Sequence, residues 1–68
     1  MTNSSDLLEL TARLSKNLAI ELDLHYEESD SHALVQEIAA LADARSVLAS
    51  SGFPAADMVN HVISRFSN

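Results

Sequence analysis

The side chains most able to do chemistry lie close together between residues 25 and 32. Two imidazoles and three carboxylates occur within these eight positions: His25, Glu27, Glu28, Asp30 and His32. Imidazole and carboxylate groups are ligands for Zn²⁺ and related ions. The two histidines are not one helical turn apart, however, and a metal site also needs hydrogen bonds that hold its ligands in place. The pattern is more typical of a solvated acidic turn between two helices, so we predict no metal ion.

Glu21 and His25 are a second candidate, because their four-residue spacing places them side by side on a helix. A general acid–base pair also needs a pocket and a group that orients the substrate. A short helical chain has little room for a pocket, and the sequence contains neither a glycine-rich phosphate loop nor a nucleophile elbow. We expect an ordinary contact between the two side chains. We predict no enzymatic activity, no catalytic residue, no cofactor and no small-molecule substrate.

The composition indicates one small domain over residues 1–68. A chain of this length buries only about 60% of the surface that its unfolded form exposes. Its small core therefore needs further stabilisation from disulfide bonds, a metal ion or oligomerisation. The chain has no cysteine, which excludes disulfide bonds and leaves self-association as a way to enlarge the core. One glycine and one proline disfavour a turn-rich β architecture.

The charge of the chain disfavours two classes of partner. Its net charge is −6, and its cations are separated along the sequence: Arg13, Lys16, Arg45 and Arg65. Binding to nucleic acid or to an anionic membrane requires clustered lysine and arginine, so we predict neither. The first six residues lack the basic start and apolar segment of a signal peptide, and charges interrupt every apolar run before a membrane span is reached. We expect a cytoplasmic protein.

Three segments with helical periodicity position the histidines and carboxylates described above. The first predicted helix covers about 6–26, the second about 31–50 and the third about 54–66. Gly52 suits the left-handed position after a helix, and Pro54 suits the first turn of the next one. The third helix collects apolar residues on one face: Met58, Val59, Val62, Ile63 and Phe66. The first two helices, each roughly 30 Å long, are expected to form an antiparallel hairpin.

The first predicted helix carries more apolar surface than one face accommodates. Five leucines recur at three- and four-residue steps and form an apolar stripe: Leu7, Leu10, Leu14, Leu18 and Leu22. Ile20 and Leu24 fall outside this stripe, at positions where a surface helix is normally polar. Large apolar side chains there are unfavourable in water, so we predict that a partner surface covers Ile20 and Leu24.

The second predicted helix has two apolar strips. The main one contains Leu34, Ile38, Leu41 and Leu48, and a strip of small residues on another side contains Ala40, Ala44 and Val47. Alanine there reflects either helix propensity or the close approach of another helix. Arg45 lies within the main strip. Its guanidinium either extends to water at the edge of the hairpin or reaches a carboxylate on a second chain.

We therefore predict an all-α fold, with an antiparallel helical hairpin and a short third helix that complete a bundle by dimerisation. The predicted function is that of a small acidic protein-interaction module that regulates or inhibits a larger protein, as small bacterial or phage-encoded regulators do. The alternatives are a small chaperone for an aggregation-prone client, such as a secreted protein, and a protein that binds or mimics nucleic acid. The predicted partner is another protein, a second copy, or both. The predicted interaction residues are Ile20, Leu24, Ala40, Ala44, Arg45 and Val47.

Overall fold

The chain folds into three α-helices in a computed structural model that describes residues 4–67. α1 spans Ser4–His25, α2 spans Val35–Ser50 and α3 spans Asp57–Phe66, and a 3₁₀ helix at Glu28–Ala33 lies between α1 and α2. No residue from 4 to 67 forms a strand, and the predicted all-α class is confirmed. Within the same range, no helix combines the length and the hydrophobicity needed to cross a bilayer.

The third helix covers only part of the hairpin. α1 and α2 pack together as an antiparallel pair, and α3 returns alongside both. Arg65 at the end of α3 bonds to Asp23 near the end of α1, so α3 runs parallel to α1 and ends beside the turn. α3 has 10 residues and is about 15 Å long, whereas the 22 residues of α1 extend over about 33 Å. The molecule measures 42 × 19 × 19 Å, and α3 covers the half of the hairpin next to the turn.

The hydrophobic core lies in this covered half. Its buried members come from all three helices and from the residue before α2: Ala19, Leu22, Leu34, Leu41, Val59, Val62, Ile63 and Phe66. Ile38 and Met58 pack against this cluster, and Leu48 is buried farther along α2. The apolar faces predicted for the second and third helices are therefore confirmed.

The apolar stripe predicted for the first helix is only partly correct. Leu22 is buried and Leu18 is half-buried, but Leu7, Leu10 and Leu14 are exposed. The buried surface of α1 is centred on two small residues, Ser15 at 7% exposure and Ala19 at 0%. At 3.6 residues per turn, this centre lies about a third of a turn away from the exposed leucines. The leucine pattern marks an apolar face of α1, but α3 packs against the neighbouring face.

Two helix starts also differ from the prediction. Residues 28–33 form a 3₁₀ helix, so α2 begins at Val35 rather than at residue 31. Asp30 accepts a hydrogen bond of 2.9 Å from the backbone N–H of Glu27, which gives this segment a capping box of its own. α3 begins at Asp57 rather than at Pro54, and Pro54 lies in the segment that precedes it.

Gly52 ends α2 in the predicted way. Its φ of 72° is in the left-handed region. The N–H of Phe53 donates to the carbonyl of Leu48 at 2.8 Å, and the N–H of Gly52 donates to the carbonyl of Ala49 at 3.0 Å. These two bonds form a Schellman motif, which satisfies carbonyls that the helix end would leave free.

Ion pairs connect the end of α3 to the turn. Arg65 Nε donates to Glu28 Oε1 at 2.7 Å, and Arg65 Nη1 donates to Asp23 Oδ1 at 2.8 Å and to the Asp23 carbonyl at 3.0 Å. His61 Nε2 lies 3.3 Å from Asp23 Oδ1. The hydrogen bond from Arg65 lowers the pKa of Glu28 below its ordinary value of 4.5, and the same bond raises the pKa of Arg65. No local pattern in the sequence indicates these pairs, because they join residues 37 and 42 positions apart.

Candidate functional site

A row of exposed leucines runs along the first half of α1. Leu7 is 55% exposed, Leu10 45% and Leu14 59%. Their spacing of three and four residues makes them neighbours on one side of the helix. Scattered exposed leucines are common on protein surfaces, whereas these three form one continuous apolar row.

The row borders a shallow groove between α1 and α2. This open groove of about 230 Å³ is lined by Thr11, Leu14, Ser15, Leu18, Ala40, Leu41 and Ala44. Val47, which is 54% exposed, follows Ala44 by three residues and extends the α2 wall. We call the combined surface the leucine face; it consists of Leu7, Leu10, Thr11, Leu14 and Leu18 on α1 and of Ala40, Ala44 and Val47 on α2.

The hydroxyl groups in the groove are satisfied within α1. Thr11 Oγ1 donates to the carbonyl of Leu7 at 2.8 Å, and Ser15 Oγ donates to the carbonyl of Ala12 at 3.0 Å. A hydroxyl that bonds to its own helix needs no hydrogen-bond partner from a ligand. The groove therefore presents an apolar surface to whatever covers it.

The predicted interaction residues divide between two sides of the molecule. Ala40, Ala44 and Val47 lie on the leucine face. Ile20 is half-buried and Leu24 is 71% exposed, and neither of them lines the groove. The leucines that complete the face on α1 belong to the apolar stripe predicted from the sequence, which does not distinguish buried from exposed positions. The exposure of these leucines depends on where α3 packs, and the sequence pattern does not give that position.

Arg45 extends toward α3 rather than toward the leucine face. It is half-buried, and its Nη1 donates to Asn60 Oδ1 at 3.4 Å. Within the chain, its guanidinium extends to the edge of the hairpin, where α3 provides a polar contact. Its pairing with a carboxylate on a second chain stays a prediction.

A second open groove, of about 530 Å³, lies between α2 and α3. Its lining includes Val35, Ile38, Ala39, Ala42, Ile63 and Phe66. Ile63 and Phe66 are buried members of the core, and Val35 is the one large apolar side chain of this lining that is more than half exposed. The leucine face is the stronger candidate for binding, because three of its leucines and Val47 are each close to half exposed or more.

The titratable side chains near the turn interact pairwise. His25 Nε2 lies 3.2 Å from Glu21 Oε2, which is the contact predicted from their spacing. Glu28 bonds to Arg65, and Asp30 caps the 3₁₀ helix. Within residues 4–67, no three histidine or carboxylate groups come together in a way that could hold a metal ion.

Comparison with known proteins gives no family for this chain. No protein-family model, no curated protein and no solved structure matches it.

Proposed function

We propose that this chain is a small protein-interaction module that regulates or inhibits a larger protein by binding it through the leucine face. The observation that carries the proposal is the row formed by Leu7, Leu10 and Leu14 beside an apolar groove. Covering each half-exposed leucine is worth roughly 1 kcal/mol at about 25 cal/mol per Å². The row alone therefore supplies roughly 3 kcal/mol toward binding, before the groove and the polar rim contribute.

The shape of the face fits a helical segment of the partner. Two antiparallel helices form its walls, with leucines on α1 and small residues on α2. Ala40 and Ala44 allow a helix of the partner to approach closely, and the leucines of α1 contact that helix from the side. Peptide helices that bind in this manner insert their apolar face into such a groove.

Self-association is the second candidate for covering the face. The leucine row and the alanine-lined groove lie side by side on one surface, so two copies related by a two-fold axis place each row in the groove of the other. The two hairpins then form a four-helix arrangement, as the sequence predicts. Sedimentation of the purified chain decides between a monomer that binds another protein and a dimer.

The test of the proposed function uses the double variant Leu10→Gln/Leu14→Gln. Glutamine is a good helix former and both positions are exposed, so the variant is expected to fold like the parent. Affinity capture from the native host, followed by mass spectrometry, is expected to lose the specific partner with this variant. Leu24→Gln is the matched control, because Leu24 is exposed but lies outside the face.

Two results would count against the proposal. In the first, the double variant recovers the same partners as the parent, and only Leu24→Gln fails to recover them. The second is a chain that recovers no specific partner and sediments as a monomer. Circular dichroism of all three proteins establishes that altered folding does not cause the difference.

A further inference from the structure

We infer that the occupant of the leucine face is a cationic amphipathic helix of the partner protein. The inference rests on the proposed function and specifies the chemistry of the partner. It is argued from the sign of the charges around the groove, where acidic side chains predominate.

Acidic residues surround the groove. On a helix, residues three or four apart are surface neighbours. Among residues with this spacing from a groove-lining side chain, Glu21 follows Leu18, Glu37 precedes Leu41, and Asp43 follows Ala40. Glu21 and Glu37 lie at the end of the groove near the turn, and Asp43 lies along the α2 wall.

Glu21 Oε2 lies 3.2 Å from His25 Nε2, but the lysine and the arginines of the chain do not offset the acids around the groove. Lys16 is neither three nor four residues from any residue of the leucine face, and Arg13 is three residues from Leu10, outside the groove. Arg45 does have this spacing from Leu41, but its guanidinium bonds to Asn60 on α3. Arg65 is engaged with Asp23 and Glu28 at the turn. The charged border of the groove is therefore acidic, and Arg13 adds one cation beside Leu10.

This charge pattern selects among possible occupants. A helix with lysine or arginine beside its apolar face gains favourable pairs with Glu21, Glu37 and Asp43 within the screening distance of about 8 Å at physiological salt. A second copy of the chain has a net charge of −6 and brings its own acidic border to the interface. Like charges at an interface oppose association and act against the wrong partner.

The positions of the acids also predict an orientation. From Leu7 to Leu18 the face is about 17 Å long, which corresponds to three turns of a bound helix. Two of the three acids lie beyond Leu18, at the end of the face near the turn. The basic residues of the partner helix are therefore expected at its end that lies near the turn.

The test uses two synthetic helical peptides of about 18 residues, which is five turns. Both have leucines at positions i, i+3, i+4 and i+7, and the flanking positions carry lysine in one peptide and glutamate in the other. Fluorescence anisotropy at pH 7 measures their binding to the full chain at low and physiological salt. We expect the lysine peptide to bind at least about tenfold more tightly, with the advantage decreasing as salt increases.

Two variants establish where the peptide binds and why. The triple variant Glu21→Gln/Glu37→Gln/Asp43→Asn is expected to weaken binding of the lysine peptide by about tenfold, since each exposed pair is worth about 0.5 kcal/mol. The double variant Leu10→Gln/Leu14→Gln is expected to weaken binding of both peptides, and Leu24→Gln to weaken neither.

Each other outcome overturns a defined part of the proposal. Equal binding of the two peptides at the leucine face rejects a cationic partner and leaves the proposed function intact. Binding of neither peptide, together with a dimer that Leu10→Gln/Leu14→Gln dissociates, identifies a second copy as the occupant. Binding of neither peptide by a monomeric chain rejects both the inference and the proposed function.

Discussion

Small side chains occupy the centre of the buried surface of α1. Ser15 and Ala19 are buried there, and the hydroxyl of Ser15 is bonded to its own helix. Side chains of this size allow another helix to approach closely. Val59 and Val62 on α3 are fully buried in the same core. The docking of α3 therefore depends on the absence of bulk at Ala19.

The substitution Ala19→Leu tests this dependence. Adding three carbons at a fully buried site forces the packing apart, and we expect a loss of about 1–3 kcal/mol in the free energy of unfolding. Denaturant titration followed by circular dichroism measures the loss. The matched control is Ala40→Leu, since Ala40 is exposed and its change is expected to stay within about 0.5 kcal/mol. Equal effects of the two variants would contradict the packing described for α1.

The same residues explain why the leucine stripe predicted for α1 is only partly buried. Hydrophobic periodicity identifies an apolar face, but it carries no information about which neighbouring element packs there. Ser15 and Ala19 give almost no hydrophobic signal, although they lie at the centre of the contact. In α2 and α3 the buried residues are large, so the sequence predicted their faces correctly.

At the scale of elements, the end of α3 is held by charges as well as by apolar packing. Arg65 bonds to Asp23 at the end of α1 and to Glu28 in the 3₁₀ helix, so one side chain joins three elements. Its guanidinium also lies 4.8 Å from the centre of the Phe66 ring, within the range of a cation–π contact.

The stabilising effect of Glu28 is expected to depend on pH. Because Arg65 lowers the pKa of Glu28 in the folded state, its contribution is fully present above the ordinary pKa of 4.5. The contribution is lost as the pH falls through the lowered pKa of the folded state. We expect the parent to have a higher Tm than Glu28→Gln at pH 7, and the difference to disappear in acid.

Thermal unfolding from pH 7 to pH 3 measures this difference. Glu9→Gln removes a carboxylate from the exposed surface of α1 and serves as the control for the change in net charge. A difference between the parent and Glu28→Gln that grows as the pH falls would show the wrong sign and contradict the pairing with Arg65.

The end of α2 gives a second prediction at this scale. Gly52 has a φ of 72°, and a side chain added there would meet no atom within 4 Å. The cost of Gly52→Ala is therefore the cost of a left-handed backbone, about 1 kcal/mol. Equilibrium unfolding measures it, and Gly52→Asn is expected to cost less because asparagine tolerates this conformation. A neutral Gly52→Ala would indicate that the turn has a different backbone.

Element boundaries were predicted best where one residue has a specific backbone role. Gly52 marked the end of α2 correctly, because only a residue that accepts positive φ suits the Schellman motif. Pro54 also occurs in non-helical turns, and α3 begins three residues after it. The 3₁₀ helix divides between a predicted turn at 28–30 and the predicted start of the second helix at 31–33, because its acidic residues have no apolar periodicity.

At the scale of the whole molecule, the two halves of the hairpin differ in how much apolar surface they bury. α3 covers the half near the turn, and the core cluster lies there. In the other half, no residue from 5 to 14 of α1 is buried. Segments with little buried apolar surface open at a lower free energy than the core.

Amide hydrogen exchange tests this difference. We expect residues 5–14 to exchange at least roughly tenfold faster than residues 15–24, because the first half of α1 opens without disrupting the core. Binding of the lysine peptide is expected to slow exchange in 5–14 and to leave 15–24 nearly unchanged. Uniform protection along α1 would contradict the division of the hairpin into two halves.

The uncovered half of α1 has a consequence for how long the chain survives in a cell. A helix that opens locally exposes its backbone to proteases, and a ligand that binds only the folded form opposes that opening. The free chain is therefore expected to be degraded faster than the bound chain, with the first cuts in residues 5–14. For the partner proposed above, degradation of the unbound chain would keep its cellular level from exceeding that of the partner.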